Sequence, residues 1–350
     1  MKSWFAYLLI AFLFIQCKRE SPVNRDKPLE PRMPTVALDS LETNAVLKDS
    51  LPIQKDTLIV TPKEKAIEKP VKKPKVAIYE GEKYSIWPHK GNDSLIKKFN
   101  KEFTAAQKYT IAALNRIDVD HIKTRDSLIV PNEFYSDFLQ YSPFPQQVDI
   151  LQEIQKFIVF SYPIQAFAVY EKGHLIKWGP TNMGKKASQT PRGLFFTNWK
   201  GRKVRSTVDS EWILNWNFNI HNSEGVGFHQ YAMPGYPASH SCIRLLDADA
   251  QWLYNWADQW VLADKNTIAA KGNPVLVYGD YNFGVKGIWY QLYKDPQITD
   301  ISESQLTQLI QPHIETILRE QNTRKAYFES KNQNNESVTT QAVDTLGVTE

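Results

Sequence analysis

The chain is poor in cysteine, with Cys17 and Cys242 as its only two thiols among 350 residues. That count excludes a disulfide framework and leaves at most one internal bridge. No glycine-rich phosphate loop and no internal repeat stand out, which removes nucleotide-cradling and solenoid architectures from consideration. The longest apolar run, Trp4 to Ile15, is about a dozen residues, short of the roughly 20 that a spanning helix needs. Excess charge is also scarce, at a formal +4. Much of the lysine surplus sits between Lys63 and Lys75, where proline and mixed charge favour a solvated spacer, so we read no nucleic-acid footprint. A weak attraction to anionic polymers or headgroups is the other role open to that segment.

Apolar residues make up 42% and aromatics 12%, enough for a substantial core, and they concentrate downstream of Lys75. Met1-Lys2 and the short apolar run suit a secretory signal. The run ends in Phe14-Ile15-Gln16-Cys17 followed by Lys18-Arg19-Glu20, which resembles a bacterial lipoprotein signal. The resemblance implies that residues 1–16 are removed. It also implies that Cys17 carries lipid, and that the chain sits in the periplasm, anchored to an envelope membrane. Gln16 stands where that family usually has a smaller residue.

Residues 17–75 are expected to form a disordered linker, and 76–149 a small helical or α+β domain. In it, Asp93 to Leu114 carries apolar residues at helical spacing. Thr110 to Pro131 resembles part of a LysM-type glycan-binding module, with Arg125-Asp126 replacing that family's usual glycine. From about Ile150 the texture becomes β-rich. Lys156 to Ser161, Gln165 to Tyr170 and Leu175 to Trp178 read as strands, the last two joined by a tight turn. Glu211 to Ile220 and Pro274 to Tyr278 continue the pattern, and Ala248 to about Leu262 reads as one helix capped by Asp247. The fold class expected for residues 150–285 is therefore mainly β with an appended helix. Residues 286–328 read as a helical extension interrupted by Pro312, and 329–350 as a disordered polar tail.

Gly225 to Tyr254 is the most informative segment. Cys242 precedes a short run leading into a helix, with His240 two residues before it and His229 about a dozen back. A thiol becomes a good nucleophile when an imidazole can take its proton, and backbone N–H groups can hold the resulting oxyanion. On residue types alone, an inert buried Cys242 beside a core His229 stays open, and His221 is a rival base. Zinc on His221, His229, His240 and Cys242 is the weakest alternative, since the spacing lacks a second cysteine pair. Trp212, Trp216, Tyr231 and Tyr236 are either groove-lining or packing aromatics.

Ser239-His240-Ser241-Cys242-Ile243-Arg244-Leu245 resembles the signature of the L,D-transpeptidase (YkuD-type) catalytic domain. Gly227-Phe228-His229, Asn182-Met183-Gly184 and Thr190-Pro191-Arg192-Gly193 follow that family's other elements in order. The resemblance implies a YkuD-like β-sandwich in a monomer that needs no cofactor and no metal. Its implied partners are peptidoglycan stem peptides and, through the N-terminal lipid, a membrane. It assigns Cys242 as nucleophile, His229 as general base and the carbonyl of Gln230 as the group that orients the imidazole. The N–H groups of Ser241 and Cys242 would help form the oxyanion hole, and His240 would support the nucleophile loop. Ser239, Tyr231, Tyr236 and Arg244 would contact substrate, with Arg244 alternatively anchoring the loop. Ser241 and Gln230 replace glycines usual in the family, and a serine forced to positive φ would be strained by roughly 1 kcal/mol or more. The implied reaction is acyl transfer through a Cys242 thioester. Water as acceptor, or a wall-binding role without catalysis, are the alternatives.

Overall fold

In the first strands of the β-rich region, side chains alternate between two different cores. Phe157 and Val159 of one strand, with Ala166, Ala168 and Tyr170 of the next, pack into one cluster. Ile158, Phe160, Phe167 and Val169 pack into the other. Successive strand residues point to opposite faces, so near-continuous apolar runs mark a sheet buried on both sides.

The computed structural model describes residues 79–80, 83–88, 93–206 and 211–346, with side chains over 83–88, 93–206 and 211–333. The expected signal, Cys17 and the whole of the expected linker lie outside the described residues, as do residues 347–350. In chain order, β1 (Tyr79–Glu80), β2 (Tyr84–Pro88), α1 (Asp93–Glu102), α2 (Ala105–Leu114) and β3 (Ser127–Pro131) form a small α+β unit. Its three strands are antiparallel, in the order β1-β2-β3. Phe99, Ile111, Leu128 and Val130 fill its core against Trp87 and Phe103. The single helix expected over Asp93 to Leu114 is two helices. Thr104 caps α2 in a capping box with Gln107, and each satisfies the other's backbone N–H.

The main sheet follows with β4 (Phe157–Ser161), β5 (Ala166–Glu171), β6 (His174–Asn182), β7 (Gly193–Phe196), β8 (Lys200–Arg205), β9 (Ile213–His221), β10 (Val226–Gln230) and β11 (Ile243–Leu245). Then come α3 (Asp247–Trp256), a two-stranded ribbon of β12 (Val261–Leu262) and β13 (Ile268–Ala270), and β14 (Pro274–Tyr278). Nine strands pair in the order β7-β14-β4-β5-β6-β11-β10-β9-β8. Two contacts are parallel, β14 with β4 and β10 with β11. The sheet bends until Phe228 of β10 meets Phe160 of β4 with ring centroids 5.8 Å apart. One hydrogen-bonded sheet thus makes a mainly β, two-layered core, with α3 packed on it through Ala250 and Leu253.

Helix α3 is shorter than the helix expected over Ala248 to Leu262, and Asp247 lies inside it rather than at its cap. The Asp247 carboxylate instead accepts the Trp216 indole N–H at 3.0 Å. After Trp256 the chain turns extended, drawn aside as the Asp258 N–H donates to Asn273 Oδ1. Ser302 caps α4 (Glu303–Ile310) in a second capping box, and a short turn through Pro312 leads into α5 (Ile314–Leu346). The expected polar tail is helical through Leu346. No glycine or proline interrupts that stretch. The helix is also tied down, since Gln321 exchanges hydrogen bonds with Glu153 O and Gln155 N, and Arg324 donates to Gln259 O and Lys271 O. Among the described residues no helix is long and apolar enough to cross a membrane.

Candidate active site

The site is built on the parallel pair β10 and β11. His229 is in register with Arg244, and Cys242 immediately precedes β11. The two-residue period of a strand therefore puts Cys242 and Arg244 on one face, beside His229. All three line a common pocket of about 30 Å³, room for about one water. Gly227 lets the strands approach, because a Cβ there would sit 2.4 Å from Phe218 O of β9.

The His229 ring is 3% exposed. Its Nδ1 lies 2.9 Å from the Gln230 carbonyl oxygen. A carbonyl only accepts, so Nδ1 carries the proton and Nε2 is left as the basic nitrogen. Burial, assisted by the Arg244 charge and opposed by the Gln230 hydrogen bond, pushes the His229 pKa down to about 4. Burial also raises the Cys242 pKa, against the opposing pull of the Gly227 N–H and of Arg244. Both shifts favour a resting pair of neutral imidazole and neutral thiol. No hydrogen bond joins the two in this state. The Cys242 thiol is instead directed at Gly225 O, 3.9 Å away.

The turn before Cys242 is held by hydroxyls. Thr190, fully buried, donates to Ser241 O at 2.8 Å and accepts the Gly184 N–H at 3.0 Å. Ser239 Oγ donates to Cys242 O at the other end of the turn. Gly184 cannot carry a side chain, since a Cβ would lie 2.2 Å from Ser188 O. In a trans peptide the C=O and N–H point opposite ways, so Thr190's hold on the Ser241 carbonyl aims the Cys242 N–H away from Thr190. Among the described residues neither the Ser241 nor the Cys242 N–H has an acceptor. Ser241 has φ +81°, the left-handed backbone for which glycine is the unstrained choice.

Arg244 buttresses the chain around the pocket. Its guanidinium donates to Ala232 O at 3.0 Å and Ala238 O at 3.3 Å and lies 4.6 Å from the Tyr231 ring centre. Of the two roles expected for it, this geometry is the anchoring one. Tyr231 stands edge-on to His229 at 6.1 Å, and Trp212 closes the pocket between Tyr231 and His240. His240 does not bond to the thiol. Lys185 Nζ lies 2.6 Å from its Nε2, and its buried Nδ1 has no protein partner. Burial and the Lys185 and Arg244 charges lower its pKa.

Tyr236, 54% exposed, is not among the pocket residues, although its carbonyl accepts a hydrogen bond from Asn182 Nδ2. The rival base His221 faces elsewhere, 3.5 Å from Glu224 and edge-on to Phe195. Among the described residues no three His, Cys, Asp or Glu side chains are grouped to hold a metal ion. Asn182, Gly184 and Thr190 stand in the sequence only as motif positions, and nothing there marks Lys185. The Thr-Pro-x-Gly pattern was the available signal for Thr190; Lys185 had none.

Residues 155–277, which span β4 to β14, match the model of the L,D-transpeptidase catalytic domain (YkuD). Among solved structures, an L,D-transpeptidase from Stackebrandtia nassauensis is 23% identical, covering 36% of this chain and 57% of that one, with a TM-score of 0.30. An L,D-transpeptidase from Mycobacterium smegmatis is also 23% identical, covering 36% and 59%, with a TM-score of 0.29. L,D-transpeptidase 3 from Mycobacterium tuberculosis is 23% identical as well, covering 36% and 61%, with a TM-score of 0.29. The chain thus spans a little over half the length of these solved chains. No curated protein matches. Over residues 155–277, the stretch that carries His229 and Cys242, this chain is similar to the L,D-transpeptidase catalytic domain.

Proposed function

We propose that the chain is a cysteine acyltransferase acting on peptidoglycan stem peptides, held at an envelope membrane by lipid on Cys17. The observation that carries the reading is the shared pocket of Cys242 and His229, with Nδ1 engaged by Gln230 O and Nε2 free to take a proton.

The reaction follows from the neutral resting pair. As the Cys242 sulfur attacks the donor carbonyl, its proton passes to His229 Nε2. The unpaired N–H groups of Ser241 and Cys242 stabilise the negative charge on the carbonyl oxygen. Collapse breaks the amide bond, and His229 returns the proton to the departing amine, leaving a thioester on Cys242. An acceptor amine then attacks the thioester, again losing its proton to His229. The second collapse forms the new amide and restores the thiol. With water in place of the amine the product is a free carboxylate.

The test is to incubate the full chain with a disaccharide-tetrapeptide and read the products by mass spectrometry. Cross-linked dimer and a transient acyl adduct on Cys242, both missing from Cys242→Ala, are the expected result. Tripeptide alone would assign the hydrolase, and no adduct with either a muropeptide or a carbapenem would overturn the enzyme reading.

A further inference from the structure

Arg116 follows the last turn of α2 and is 2% exposed. Its Nε donates to Ile164 O at 2.8 Å, and Nη1 to Ala113 O at 2.9 Å and Leu114 O at 3.4 Å. The rings of Trp178 and Trp289 lie 5.7 and 5.6 Å from its central carbon. Carbonyls at a helix C-terminus and aromatic faces both favour a cation, yet none of these groups is an anion. Among the described residues no carboxylate pairs with Arg116 and Nη2 has no acceptor. Buried charges are ordinarily paired, because desolvating one alone is costly.

Arg116 lines a cavity of about 370 Å³ between the small α+β unit and residues 292–300. That size is within the roughly 300–1,000 Å³ of small-molecule sites. Tyr84, Tyr135 and Tyr141 also line it, Tyr135 being 44% exposed with its ring 5.4 Å from that of Tyr141. A smaller pocket of about 120 Å³ shares these three tyrosines. Gln140 and Gln297 add amide donors and acceptors to the larger one. Its other charges, Lys83 and Asp300, oppose each other, so the Arg116 charge is left uncompensated.

We propose that this cavity binds a small saccharide bearing a carboxylate. The carboxylate would sit on Arg116 Nη2, the sugar ring against the tyrosines, and the hydroxyls on Gln140 and Gln297. Flat phenol faces suit the C–H faces of a sugar, and an otherwise polar wall suits its hydroxyls. The site is separate from the Cys242 pocket and does not depend on the reading given to it.

The full chain is titrated by calorimetry with glucuronate, galacturonate and N-acetylmuramate. Glucose, galactose and N-acetylglucosamine serve as uncharged counterparts, and acetate and inorganic phosphate as sugar-free anions. At least one sugar acid should bind roughly tenfold or more tighter than its uncharged counterpart and than either simple anion. Tyr135→Ala, on the exposed rim, should weaken that binding roughly tenfold, while alkylation of Cys242 keeps its wild-type rate. Arg116→Met should abolish it, and the Tyr135 comparison stands even if that variant fails to fold. No binding by any sugar acid, equal binding of the uncharged sugars or simple anions, or an unchanged Tyr135→Ala would each overturn the proposal.

Discussion

The Cys242 pocket and the Arg116 cavity bury polar groups in opposite ways. In the first, burial falls on an imidazole and a thiol, which can shed charge. Their pKa values move apart, the histidine to about 4 and the cysteine upward, and the pair rests neutral. In the second, burial falls on a guanidinium. Desolvation pulls its pKa down to about 9, and it still keeps its proton at neutral pH. A group that can neutralise adapts to a dry site by itself, whereas one that cannot leaves an unmet demand for an anion. The contrast in volume agrees, about 30 Å³ at the thiol against about 370 Å³ at the guanidinium.

The comparison can be broken most sharply at His229. His229→Ala should lower acyl transfer, and the rate of Cys242 acylation by a carbapenem, by roughly 10²–10⁴-fold. A loss below about fivefold would remove His229 as the base. The next largest effect is on pH-dependent stability. Because the folded pKa lies below the unfolded 6.5, the unfolded chain binds more protons between about pH 4 and 6.5. The His229 contribution is fully present above that window and is lost as pH falls through it, about 3 kcal/mol in total. Urea titrations across this range should show a loss that His229→Gln lacks.

At Arg116 the expectation runs the other way. If its charge awaits a ligand, Arg116→Met should change the unfolding free energy of the unliganded chain by no more than about 2 kcal/mol, because removing an unpaired buried charge offsets the loss of its three carbonyl hydrogen bonds. A larger loss in chemical denaturation would make the guanidinium a structural clamp on Ile164, Ala113 and Leu114. The smallest effect belongs to Ser241→Gly. Relieving φ +81° should raise stability by about 1 kcal/mol or less, read as a shift in the denaturation midpoint, with Cys242 still acylated.

Much of the candidate site was legible beforehand. The short apolar runs Lys156 to Ser161 and Gln165 to Tyr170 announced strands, and Gly-Phe-His and Ser-His-Ser-Cys pointed to Cys242 and His229 as the candidate pair. The role expected of the Gln230 carbonyl agrees with the 2.9 Å contact found there. The break at Thr104 went unread, because apolar spacing runs unbroken across it and masks the Thr-x-x-Gln capping box. The end of α3 was not legible, because Asn273, which draws the chain aside, lies 15 residues beyond Asp258.

Local pattern, then, determined the first strands of the sheet, several helix starts and the candidate thiol and imidazole, because period and capping chemistry act between near neighbours in the chain. Only the tertiary structure decided that Thr190 holds the peptide before Cys242, that Trp212 closes the pocket, and that Arg116 is buried without an anion. Those depend on which distant segments meet and on what water is excluded, and desolvation has no signature in the order of residues.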